Sequence, residues 1–256
     1  MLELAQRFAQ HPSKDNLLFA GFSGEEKGLW GSNQFCATPT VPLDQIRYMI
    51  NMDMVGRLRG DTLAVYGTGT TPEWMEILEA CNDEGFVLVP SESGVGPSDH
   101  TSFYLEDIPV LHFFTGQHPD YHRPTDTADL LNYEGMAKIA NFIERVMRML
   151  DEKDDLPFAA TKDQDSESTP SFKVTLGVVP DYLFSGEGMR IDGLTEGRPA
   201  ANAGMQRGDV VVRMDTIEIV DMMSYMQALG TFEAGETAAV EILRDNERQT
   251  VEVLWD

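Results

Sequence analysis

The sequence predicts an α/β unit built on a mostly parallel sheet, followed by a small, mainly β unit. Three observations lead there. Short apolar runs flanked by turn residues are interspersed with helical patterns over residues 1–150, the mark of a sheet covered by helices. Residues 151–170, "DEKDDLPFAATKDQDSESTP", set seven acidic residues against two lysines with few large apolar groups, the composition of a linker. From residue 171 to 256 the runs become short strands at turn-rich intervals, which marks a separate domain.

The elements follow in order. Leu2, Ala5, Phe8 and Ala9 share one face of a helix, read as a crossover into the sheet. "HPSKDN" turns the chain into "NLLFAGF", expected to be a fully buried strand closed by Ser23 and Gly24. "QIRYMINMDMVG" is a second strand ending at Asp53, and "DTLAVYGTG" a third. "TPEWMEILEACNDEG" is a helix expected to be capped by Thr71, with Pro72 in its first turn. "GFVLVP" and "IPVLHFF" are further strands, and "NYEGMAKIANFIERVMRMLDE" is a long amphipathic helix that closes the domain. In the second domain "FKVTLGVVPDY", "GMRIDGL", "DVVVRM", "AAVEILRD" and "RQTVEVLW" read as strands, with helical patches at "PAANAG" and "MMSYMQALG".

Composition removes several classes of function. The formal net charge of -24 argues against nucleic acid as a partner, because such binding needs Lys and Arg to neutralise phosphates. No apolar run reaches the roughly 20 residues of a membrane span, and the opening residues lack the regions of a signal peptide. Cys36 and Cys81 are too few for a disulfide framework or a thiolate zinc site, and leave a single bridge open.

Chemistry concentrates around "LLFAGFSGEEKGLWGS". The pair Glu25 and Glu26 is not informative alone, since 43 acidic residues in 256 give roughly seven adjacent pairs by chance. Its place is informative, because open α/β sheets collect their chemistry at the carboxyl ends of strands. Glu26, Asp53 in "NMDMVG" and His122 in "HPDYHRPTDT" all fall at such ends and supply the oxygen and nitrogen donors of a catalytic zinc. Glu25 would then be the general base toward a water. His100 in "SDHTSF" is either a catalytic pocket residue or a buried, satisfied histidine. Asp126 either orients the ring of His122 or caps a helix. His112 and His118 read as structural.

"FSGEEKGLWGS", "NMDMVG", "SDHTSF" and "DYHRPTDTAD", in that order, resemble the zinc-dependent exopeptidase family that includes bacterial leucyl aminopeptidase, aminopeptidase Y, glutamate carboxypeptidase and glutaminyl cyclase. The resemblance covers residues 1 to about 150. It implies an aminopeptidase acting on peptides with two zinc ions: Glu25 as base, Glu26 and His122 on one ion, Asp53 on the other. The family draws a further histidine and a bridging aspartate from a segment before the opening helix, and no such residues precede Met1. The chain is therefore expected to be an amino-terminally incomplete member with a deficient site, exported in its complete form. Glutaminyl cyclisation, carboxypeptidase activity and non-catalytic peptide binding are the alternatives. Residues 171–256 resemble a bacterial PDZ domain, with "TLGVVPDY" in the place of the loop whose amides, at Leu176, Gly177 and Val178, would capture a peptide's terminal carboxylate.

Overall fold

Helix α1 spans Leu2–Gln10 and buries Leu4 and Phe8. These are one turn apart, so the apolar face is rotated from the expected one and leaves Leu2 82% exposed. The computed structural model describes residues 1–153, 156–161, 174–181, 184 and 186–256. They fall into two compact units, Met1–Thr169 and Pro170–Asp256.

In the first unit the run from Leu17 to Phe22 carries no strand ladder. Leu17 and Phe19 pack against the core while Leu18 is 59% exposed, so the segment is buried on one side only, and the expectation of a fully buried strand is corrected. Helix α2 (Trp30–Ala37) follows. The sheet is built from β1 (Met49–Asp53), β2 (Thr62–Tyr66), β3 (Val87–Ser91) and β4 (Val110–Phe114), in the order β1-β4-β2-β3. β1 runs parallel to β4 and β2 parallel to β3, while β2 is antiparallel to β4. The sheet is therefore mixed. Helix α3 (Trp74–Cys81) begins after Glu73, with Thr71 in the preceding turn rather than at the cap. The five-residue helix α4 (His100–Tyr104) precedes β4, and α5 (Tyr133–Leu150) closes the unit. Its cap is Asn132, whose side chain accepts from the Gly135 amide at 2.8 Å.

The core lies where α1, α3 and α5 cover the sheet: Trp74, Ile77, Phe113, Phe142, Ile143 and Val146 are fully buried. Cys36 and Cys81 are buried free thiols, so no bridge joins them. Part of the acidic stretch is not a linker. Leu156 is buried, the Ala159 amide donates to the Thr70 carbonyl at 2.8 Å, and Phe158 meets the Tyr104 ring at 5.4 Å. Apolar contacts and hydrogen bonds together hold this part down; residues 154, 155 and 162–170 fall outside the described residues.

The second unit holds β5 (Val178–Pro180), β6 (Met189–Leu194), α6 (Pro199–Asn202), β7 (Val210–Met214), β8 (Ile217–Glu218), α7 (Met222–Leu229), β9 (Thr237–Arg244) and β10 (Glu247–Leu254). The sheet order is β10-β9-β7-β6-β5, with β8 on β7, and every pairing is antiparallel. Asp221 and Ser224 form a reciprocal capping box at the start of α7. Among the described residues no helix is long and apolar enough to cross a membrane.

Candidate functional site

The site sits at the carboxyl ends of β1 and β4. Ser23–Gly31 folds as one tight loop: Glu25–Lys27 make a single 3-10 turn, and the Gly31 amide donates to the Ser23 carbonyl at 2.9 Å. A Cβ at Gly31 would lie 2.7 Å from both the nitrogen and the oxygen of Ser23, so only glycine lets the loop close. The turn presents Glu25 and Glu26 in different surroundings.

Glu26 faces outward. Its Oε1 lies 2.9 Å from His122 Nε2, with side chains 67% and 52% exposed. His122 belongs to the loop after β4 and has a left-handed backbone, φ 55°. Its ring is stacked on Tyr121 at 3.8 Å.

Glu25 faces inward. Burial first, then the charges of Asp53, Asp99 and Glu26, push its carboxyl up to about 7 from an ordinary 4.5. Burial also raises Asp53 and Asp99, opposed at Asp53 by the Ser98 hydroxyl and at Asp99 by Ser32. Tyr121 belongs to the same cluster: burial and then Asp53, Glu26 and Glu25 push its phenol up to about 12, so it stays protonated at neutral pH. Sequence reasoning passed over Tyr121, although it adjoins His122 in "DYHRP".

Behind Asp53 runs a chain of polar side chains. Asn51 Nδ2 donates to Ser98 Oγ at 2.7 Å and lies 2.9 Å from His112 Nδ1. Ser98 Oγ in turn points at Asp53 Oδ2 across a long 3.4 Å. An amide nitrogen only donates, so His112 Nδ1 accepts and its proton sits on Nε2. His112, on β4, is stacked flat on His100 at 4.6 Å. His100 is fully buried, and among the described residues neither of its ring nitrogens has a hydrogen-bond partner. Burial, reinforced by His112, holds its pKa well below the ordinary histidine value. Of the two readings of His100, a pocket residue or a buried, satisfied histidine, the burial fits the second, while the lack of ring partners departs from it.

Asp126 has a different neighbour from the one expected. Arg57 donates to Asp126 Oδ1 at 2.6 Å and to Asp120 Oδ2 at 2.7 Å, and the other oxygen of Asp126 lies 3.7 Å from His118 Nε2. Arg59 donates to the Gln117 carbonyl. Two arginines just past β1 thus pin both flanks of the loop that carries His122.

These donors suit zinc in kind, an exposed carboxylate oxygen and an imidazole nitrogen in contact, with a raised carboxylate beside them. They do not suit it in number: among the described residues no three His, Cys, Asp or Glu side chains are placed to hold one ion. His11, His100 and His118 do not complete the set.

In the second unit the segment expected to capture a carboxylate already engages one of its amides. Gly177 adopts φ 70°, and a Cβ there would lie 2.2 Å from Arg198 Cβ. Its amide donates to Thr175 Oγ1 at 3.0 Å, so one of the three amides expected to face a carboxylate is engaged within the loop. Leu176 is fully buried.

Comparison with known proteins gives the family and the fold. Residues 1–147 match the family described as Peptidase family M28, and residues 161–254 the PDZ domain. A curated relative named "Probable leucine aminopeptidase", from Arthroderma benhamiae, is 28% identical over 144 residues, 54% of this chain and 40% of that protein. An aminopeptidase structure from Aneurinibacillus sp. strain AM-1 shares 25% identity with a TM-score of 0.50, covering 62% of this chain and 38% of its own. A zinc aminopeptidase from Bacillus subtilis, 23% identical with a TM-score of 0.53 over 66% of this chain and 41% of its own, shares the fold. The chain spans about half or less of the length of the curated relatives it matches.

Proposed function

The chain belongs to peptidase family M28, with a PDZ domain after the peptidase unit, and from this premise we propose that it works as a zinc-dependent aminopeptidase that releases amino-terminal residues from peptides. Following the family resemblance, Glu26 and His122 would hold one zinc ion and Asp53 a second; the described residues alone complete neither set. The chemistry that zinc supplies when bound is polarisation of a carbonyl and a lowered pKa for water.

The observation that carries the proposal is Glu25. A carboxyl raised to about 7, next to the contact between Glu26 and His122, is matched to taking a proton from water and returning it to a leaving amine near neutral pH. Tyr121 keeps its proton and offers a donor to the same space. The PDZ unit would bind the carboxyl-terminal tail of a peptide or partner protein along the open edge of β5.

Glu25→Gln keeps the shape and removes the base. Hydrolysis of amino-acid p-nitroanilides should fall by roughly 10²- to 10⁴-fold, with zinc content unchanged. Activity within tenfold of the parent would eliminate Glu25 as the base. A glutaminyl peptide and a carboxypeptidase substrate in the same assays separate the cyclase and carboxypeptidase readings, which use the same donors.

A further inference from the structure

The open edge of β5 contains Pro180, and its orientation can be read from the bonds on the other side. Gly177 O accepts from the Thr195 amide at 2.8 Å, and the Asp181 amide donates to Arg190 O at 2.8 Å. Both residues therefore turn toward β6. The register shifts between Val179 and Pro180, with the extra residue, Asp192, on β6, so alternation along β5 is kept and turns Val178 and Pro180 away from β6. Ile191, which faces Pro180 across the ladder, gives an independent check. It donates to Asp209 O at 2.8 Å and accepts from the Gly208 amide at 2.7 Å, both away from β5. In an antiparallel pair facing residues either exchange bonds or both point away, so Pro180 also points outward. Among the described residues β5 is the last strand of its sheet, and its outward edge offers the amide and carbonyl of Val178 but only the carbonyl of Pro180, since proline has no N-H.

Resting on the reading of this unit as a binder of peptide tails, we propose that Pro180 confines recognition to the extreme carboxyl terminus. A tail whose carboxylate reaches the Leu176–Val178 loop pairs its last residue with Val178 through both backbone bonds. Its third residue from the end faces Pro180, where it donates one bond and its carbonyl finds no donor. Partners of this unit are accordingly proteins with free, extended tails read over the last two or three residues, upstream of which the sequence is unconstrained. A proline at an edge also blunts strand pairing between copies, and the experiment has to separate the two roles.

The test uses the full chain, its Pro180→Val and Pro180→Ala variants, and fluorescein-labelled hexapeptides randomised at the last three positions, in acid and amide forms. Restoring one ladder bond should tighten binding of the acid hexapeptides by roughly two- to tenfold in both variants. A dipeptide of the last two residues, measured by competition, should bind parent and variants equally, because it does not reach position 180. Unchanged hexapeptide affinity in both variants, with acid still preferred over amide, overturns the role of Pro180 and leaves peptide binding standing. Equal binding of acid and amide by the parent removes the underlying reading instead. Self-association of the variants on gel filtration without tighter peptide binding shows that Pro180 guards the edge against its own kind, and also overturns the proposal.

Discussion

Asp53 ends a strand whose residues from Met49 onward are paired with β4, whereas His122 stands in a loop, half exposed, with its backbone at φ 55°. Both reach one carboxylate cluster. The inner side is fixed by the sheet and by the Asn51–Ser98 contacts behind it, so its geometry comes with folding. The outer side depends on the Arg57 and Arg59 pins and on the contact between His122 and Glu26, features that open locally at low free energy. Zinc binding would therefore order the outer side more than the inner.

The strongest way to break this comparison is His122→Ala. Removing a ligand should weaken zinc, measured by chelator competition, by more than the roughly 10- to 100-fold that contacts outside the ligand set are worth, and activity should vanish with the metal. Zinc retained at parental affinity would show that the outer side is not a metal site.

Arg57→Ala sharpens the comparison, because it leaves every proposed ligand in place and releases only the loop. Zinc affinity should drop about tenfold while the circular dichroism spectrum of the folded chain is unchanged. Arg57→Lys should recover only part of the loss, since an ammonium cannot reproduce two bonds in a fixed fork to Asp120 and Asp126. Parental zinc affinity in Arg57→Ala would mean that the loop holds itself.

The two sides also differed in how legible they were. Asp53 was placed at the end of its strand from "YMINMD", because a β-rich apolar run that stops at an acid needs no distant partner to be recognised. The pairing of Glu26 with His122 came only with the family resemblance, and the structure brings the two side chains into contact. The supports were hidden. Arg57 and Asp126 are 69 residues apart, and nothing local links an arginine to a distant acid. Helix α2 was missed because "WGSNQFCA" has a glycine in its first turn and no strong apolar stripe. The run from Leu17 to Phe22 read as a buried strand from hydrophobicity alone, yet a strand also needs a neighbour with free backbone groups. The cap of α3 slipped two residues, and His100 could not be resolved, because burial is decided by the partner it stacks on, His112.

The smallest effect concerns the inner side without metal, and follows from the sign of the Glu25 shift. Its folded pKa, about 7, lies above its ordinary 4.5, so between those values the folded chain holds a proton that the unfolded chain releases. The stabilisation is present below 4.5 and is lost as pH rises through 7. The buried histidines act the other way: His100, His112 and His118 have lowered pKa values, so their contribution grows as pH rises toward the ordinary histidine range. Asp120 is lowered below its ordinary 3.8 by Arg57, and its effect is complete by pH 5. Comparing Glu25→Gln with the parent cancels all of these. At roughly 1.4 kcal/mol per pKa unit, reduced by solvent screening at a partly exposed carboxyl, about 1 kcal/mol should remain. In chelator-treated protein at low salt, the variant should therefore gain a few degrees of Tm on the parent between pH 5 and pH 8. A difference in Tm that stays constant over that range would mean that Glu25 titrates as an ordinary surface glutamate and that the inner side of the site is open to water.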